Sequence, residues 1–75
     1  MKYYKISQVV PGKGNAWTYY ETDDNQTVMR ILTHIPEVNE TKLFASPKIK
    51  SLFQPERLLK AEAQEFDKLW KAAEP

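Results

Sequence analysis

The ionisable side chains of this sequence that could do chemistry gather in a few places, and each grouping can be matched to a reaction or a ligand. Glu21, Asp23 and Asp24 put three carboxylates at neighbouring positions, a donor set that suits a hard divalent cation. The spacing does not complete such a site. Counted from Asp23, the sixth position of a calcium loop, which needs glycine, is Val28, and the twelfth, which needs a bidentate Glu, is His34. The expectation is a turn with solvated carboxylates and no metal. His34 is the sole histidine; a general base needs a partner within hydrogen-bond reach, and no Ser or Thr motif here resembles a nucleophile elbow. Pro11-Gly12-Lys13-Gly14-Asn15 offers Gly-x-Gly beside a lysine, but it lacks the third glycine of a dinucleotide fingerprint and the Gly-Lys-Ser/Thr ending of a phosphate loop. It reads as a hairpin loop, and no cofactor is expected.

The aromatic residues are the more informative group. Tyr3, Tyr4, Trp17, Tyr19 and Tyr20, with Arg30 and Lys2, Lys5 and Lys13 nearby, could form a stacking platform for single-stranded nucleic acid. The reading set against it is that they pack in the core and against a protein partner. Alternation along a strand puts Trp17 and Tyr19 on one face and Tyr20 on the other, so at least one face is expected to be spent on packing. The aromatic RNA-recognition motif and the Gly-x-x-Gly loop of nucleic-acid modules are both missing. Tyr3, Tyr4, Trp17, Tyr19, Tyr20 and Arg30 are therefore the candidate partner-binding residues.

Whatever these residues do, a small scaffold must hold them. The chain has 75 residues, which fits one domain spanning 1–75. Eleven Lys and Arg against ten Asp and Glu leave a net charge of +1, too little for a global field that would draw in nucleic acid or an anionic membrane. With no cysteine, a disulfide framework, a thiolate zinc site and a cysteine nucleophile are excluded together. The start, Met1-Lys2-Tyr3-Tyr4-Lys5, has no apolar signal segment, and the expectation is a cytoplasmic chain that makes no membrane contact.

Hydrophobic periodicity supplies the elements. Residues 2–10 alternate β-branched or aromatic residues with polar ones and run into the Pro-Gly turn; residues 16–22 have strong β propensity and end at Asp23-Asp24-Asn25-Gln26; residues 27–35 carry Val28, Met29, Ile31, Leu32 and Ile35 with Arg30 and His34 between them, up to Pro36. Short connections make these an antiparallel meander. Thr41 to Ala45 could add a fourth strand, and Ile49, Leu52 and Phe53 are spaced as one helical turn spaces them. Pro55 is placed as the first residue of a final helix, on which Leu58, Leu59, Ala63, Phe66, Leu69, Trp70 and Ala73 share one arc. The expected fold is α+β: a three- to four-stranded antiparallel β-meander covered by one C-terminal amphipathic helix.

One residue breaks that helical pattern. Glu62 falls inside the apolar arc, and a carboxylate there needs a partner. Either the Glu62 stem bends to solvent past the small Ala61 and Ala63, or it is paired, with Arg30, on a strand the helix should cover, as the best candidate and Tyr hydroxyls of the first two strands as alternatives; in the paired case Arg30 and Glu62 mark a polar junction between sheet and helix.

The segments Trp17-Thr-Tyr-Tyr-Glu-Thr-Asp-Asp24, Val28-Met-Arg-Ile31 and Gln64-Glu-Phe-Asp-Lys-Leu-Trp70 resemble, in their order, small bacterial proteins in which a Trp/Tyr-rich strand, an acidic turn and an Arg-containing strand precede a helix of Glu-Phe-x-x-x-Trp type. That resemblance implies an α+β meander and a bacterial or phage setting; it transfers no activity and no catalytic residue. From the residues themselves, the strands carry more apolar and aromatic side chains than one helix can cover. The expectation is a non-catalytic protein–protein interaction module whose partner is another protein or itself, as a homodimer; the alternative is nucleic-acid binding through the aromatic strands and lysines.

Overall fold

A computed structural model describes residues 1–45 and 55–74. Lys2–Val10 (β1) and Gly14–Thr22 (β2) form a long hairpin in which Tyr4 faces Tyr20 and Ser7 faces Trp17. Its turn closes with the Lys13 N–H donating to the Val10 carbonyl at 3.0 Å. Gly12 and Gly14 there take φ of 81° and 92°, which only glycine adopts without penalty. Val28–Ile35 (β3) returns beside β2, and Glu40–Phe44 (β4) returns beside β3. All neighbours are antiparallel, as short connections require.

The final third departs from the expected single helix. Pro55–Arg57 is one 3-10 turn, Leu59–Lys60 (β5) pairs with Lys5 and Tyr4 on the far side of β1, and the helix proper is Ala63–Ala73 (α1). The sheet order is therefore β4-β3-β2-β1-β5. Leu58 and Leu59 match a helical arc by spacing, but β1 offers unpaired backbone groups that a strand can satisfy, and the Ala61 N–H continues that pairing by donating to the Tyr3 carbonyl at 3.0 Å. The chain turns helical only beyond that edge. Expected helical contacts of Ile49, Leu52 and Phe53 lie outside the described residues.

Register decides what meets α1. Tyr3 and Lys5 of β1, Trp17, Tyr19 and Glu21 of β2, Arg30, Leu32 and His34 of β3, and Thr41 and Leu43 of β4 lie on one face. Phe66 and Trp70, one helical turn apart, close over that face with Tyr19 and Leu32, and Tyr3, Trp17, Leu43, Ala61 and Leu69 pack around them. Leu32 and Phe66 have no exposed surface. The opposite face buries Tyr4, Ala16, Thr22, Val28 and Ile31, so β3 is buried on both sides, as large apolar residues at both of its strand parities imply. A bulge between Glu21 and Thr22 sets Val28 opposite Thr22 and Arg30 opposite Glu21. Met29, left between them, is exposed rather than on the Ile31 face that simple alternation assigns it.

Candidate functional site

Where the helix crosses the sheet, Glu21 is almost fully buried, at 5% exposure. Its carboxylate accepts three hydrogen bonds: from Arg30 Nε at 2.6 Å, from Arg30 Nη2 at 2.7 Å and from the Tyr3 hydroxyl at 2.8 Å. The guanidinium also stacks against the helix aromatics, with Cζ 4.6 Å from the Trp70 ring centroid and 5.0 Å from that of Phe66. Asp67 of α1 approaches Nη2 at 3.7 Å. Arg30 is thus shared between a carboxylate of the sheet and two rings of the helix, a use that its planar fork allows and a lysine would not.

A second cluster sits beside it. Glu65 of α1 accepts from the Tyr19 hydroxyl at 2.5 Å and from Lys5 Nζ at 3.3 Å, and the Lys5 ammonium lies 5.3 Å from the Trp17 ring centroid. The electrostatics follow from these contacts. Arg30 holds Glu21 below the usual carboxylate range against the opposing effect of burial, with Tyr3 adding to the shift; Tyr19 and Lys5 do the same for Glu65. Burial and the bond to Glu21 push the Tyr3 phenol up to about 12, and burial with the bond to Glu65 pushes Tyr19 upward as well. Both phenols stay protonated at neutral pH and act as donors that hold carboxylates in place.

The sequence-derived sites map onto this geometry unevenly. Arg30 is at a junction between sheet and helix, but Glu62 is not its partner. Because the helix starts at Ala63, Glu62 is the exposed residue preceding its first turn, and its side chain makes no capping bond. Glu21 takes the expected place of Glu62. The reading of Glu21 as a solvated turn carboxylate is likewise corrected, since it is the buried anion of the junction. Four of the clefts among the described residues hold about 330 to 390 Å³, and neither Arg30 nor Glu62 lines any of these four. Of the proposed aromatic surface, Tyr19 and Tyr4 are buried, Tyr3, Trp17 and Tyr20 are half-buried, and the five are divided between the two faces. Asp23 is used by its own turn, its carboxylate accepting the Asn25 and Thr27 N–H groups at 2.8 and 2.9 Å. His34 bonds through Nδ1 to the Thr41 hydroxyl at 2.8 Å. The signal for Glu21 was present in the sequence: Glu21, Tyr19 and Trp17 share strand parity, as do Arg30 and Leu32. The bulge hid which of them would meet.

The surface that remains open is an edge. The Tyr3 carbonyl faces β5, so by alternation the backbone N–H and C=O groups of Ser7 and Val9 also face away from β2. Among the described residues β5 pairs only with Tyr4 and Lys5, leaving β1 beyond Lys5 without a neighbour. Ile6, Ser7, Gln8 and Val9 are all exposed, Val9 to 75% and Ile6 to 40%, and Leu59 beside them to 57%. The other edge strand, β4, carries the exposed cation Lys42 and a Glu40 tied to Lys13 at 2.9 Å; edge charges of this kind discourage strand addition. From Ile6 to Val10 the β1 edge has no such guard. No helix among the described residues is long and apolar enough to cross a membrane. No protein-family model, curated protein or solved structure matches the chain.

Proposed function

We propose that the chain is a cytoplasmic, non-catalytic protein–protein interaction module that captures an extended strand along the free edge of β1. The observation that carries this reading is the concentration at one sheet edge of backbone groups, at Ser7 and Val9, that have no partner among the described residues, with three exposed apolar side chains, Ile6, Val9 and Leu59. Main-chain bonds would supply affinity and the flanking side chains specificity. The polar clusters under α1 support the same reading, since Tyr3 and Lys5 of β1 bond Glu21 and Glu65 there and so are committed to the helix side, leaving the outer edge beyond Lys5 as the accessible part of the strand. Nucleic-acid binding draws less support, because the rings it needs are packed in the core or split between faces.

Ser7→Pro tests the reading cleanly. Proline there removes an outward N–H and leaves the pairing of β1 with β2 intact, the one setting in which an edge strand tolerates it. Immobilised wild-type protein is expected to retain from nuclease-treated cell extract a protein that the Ser7→Pro form does not. Equal retention by both forms would place the site elsewhere, and retention lost on nuclease treatment alone would favour nucleic acid.

A further inference from the structure

We propose that the strand captured by this edge is β1 of a second copy of the chain, paired antiparallel about a two-fold axis through Gln8. The proposal rests on the reading of β1 as a docking edge and names its occupant. What points to a second copy is the self-complementarity of the free stretch and the way its two ends are stopped.

A two-fold axis normal to the sheet sets one residue of β1 opposite itself. If that residue were Ser7, Val9 of one copy would need the edge of Lys5 in the other, which Leu59 already occupies. If it were Val9, Ser7 would lie against Pro11, which has no N–H to give. With Gln8 at the centre both conflicts vanish. Ser7 then faces Val9 of the second copy, and these are the residues whose backbone groups point outward. Each Ser7 N–H donates to a Val9 carbonyl and each Val9 N–H to a Ser7 carbonyl, the closely spaced pair of an antiparallel ladder. Ile6 faces Val10 on the side of the sheet away from α1. The ladder ends at Ile6 and Val10: the strand of the second copy stops there and turns at Pro11 towards its own β2, short of the Lys5 edge that Leu59 holds.

The charge pattern agrees. Ile6 to Val10 contains no ionisable residue, so self-pairing brings no like charges together, and the two Lys5 side chains stand at opposite ends of the joint. The axis keeps both α1 helices on one side of a continuous sheet and covers Val9, the most exposed large apolar residue among those described. Five paired residues make a small joint, so the association belongs to the weak, concentration-dependent class.

Sedimentation equilibrium on the full chain is expected to show mass doubling between low and high micromolar concentration. Gln8→Glu sets two carboxylates directly opposite each other and should weaken the dimer about five-fold, with relief by salt; because Gln8 is exposed, this variant keeps the fold even if Ser7→Pro does not. The chain has no cysteine of its own, so single cysteines report the register. In a non-bonded pair the two Gln8 Cα atoms lie about 4.5 Å apart, within disulfide reach, so Gln8→Cys should cross-link on mild oxidation. Ser7→Cys and Val9→Cys place their Cα atoms roughly 8 to 9 Å from their own copies and should not. Constant monomeric mass, growth beyond a dimer, or equal cross-linking by all three variants overturns the proposal. If the mass stays monomeric while the extract still yields a protein sensitive to Ser7→Pro, the docking edge stands and only its occupant is wrong; loss of both results removes the edge itself.

Discussion

Arg30 and Glu21 face each other across β2 and β3 in a two-point contact, Nε to Oε1 at 2.6 Å and Nη2 to Oε2 at 2.7 Å, directly beneath the rings of Phe66 and Trp70. One guanidinium thereby links the sheet's buried anion to the helix's apolar face. Helix position and sheet chemistry are fixed by the same side chain.

Removing the cation should therefore cost more than removing the anion. Arg30→Met strands a buried carboxylate and is expected to destabilise by about 3 kcal/mol, whereas Glu21→Gln keeps the shape and the Tyr3 bond and should cost about 1 to 2 kcal/mol. Urea unfolding of the two single variants and the double variant should give a coupling above about 0.5 kcal/mol, while Arg30 with Glu62 should couple within about 0.3 kcal/mol of zero. A large Arg30–Glu62 coupling would contradict the placement of the helix start at Ala63.

Acid should find the same contacts. Glu21 and Glu65 titrate below the ordinary carboxylate range, the first chiefly through Arg30 and the second chiefly through Tyr19. A group whose pKa is lowered on folding contributes stability that is complete above its unfolded value, about 4.3, and is lost as pH falls through its folded value. Unfolding free energy should start to decline near about pH 4 and keep falling below it. In a protein carrying both Glu21→Gln and Glu65→Gln the decline should be shallower; an unchanged slope would mean that other carboxylates dominate.

Alkali should act in the opposite sense. The Tyr3 phenol is raised to about 12 by burial and by its bond to Glu21. Its contribution is complete below the unfolded value of about 10 and is lost as pH rises through the folded value. The phenolate absorbance of the native protein should show a late step near that pH, coincident with loss of near-ultraviolet dichroism, and Tyr3→Phe should remove it. A phenol titrating with the unfolded chain would show that the hydroxyl is not held by Glu21.

The helix contacts give the plainest stability test. Phe66→Ala and Trp70→Ala each empty the buried cluster and should cost about 3 to 5 kcal/mol, enough to unfold a domain of this size. Leu59→Ala, which spacing alone would put on the same arc, should change stability by less than about 0.5 kcal/mol because the residue is exposed at the sheet edge. Equal effects at 59 and 66 would restore the longer helix.

At the first turn, Gly12→Ala and Gly14→Ala should each cost about 1 kcal/mol for the left-handed backbone. A Cβ at Gly14 would meet the Glu37 carboxylate, and at Gly12 nothing, but the end of an exposed glutamate can swing away. Thermal melts of the two variants should agree closely; a much larger effect at Gly14 would show that Glu37 is pinned.

The sequence by itself determined the local alphabet of this protein. Alternation and turn residues set β1, β2 and β3 and their antiparallel order, Pro36 closed β3, and the spacing of Phe66, Leu69, Trp70 and Ala73 fixed the face of the final helix, because these signals depend on neighbours within a few residues. It could not decide the fate of Leu58 to Lys60. Their pattern serves a helix or a strand equally, and only the vacant edge of β1, brought there by the folded sheet, resolved it as β5. Nor could it pair the charges. Whether Arg30 meets Glu21 or Glu62 depends on a bulge that slips the β2–β3 register between Glu21 and Thr22, and on a helix that begins after Glu62 instead of before it. The aromatic residues divide as alternation implied, Tyr4 and Tyr20 to one face and Tyr3, Trp17 and Tyr19 to the other, and only the docking of α1 decided that the second group is covered. Local propensity is read from adjacent residues, whereas register and edge pairing are set by long-range contacts that exist only once the sheet has formed.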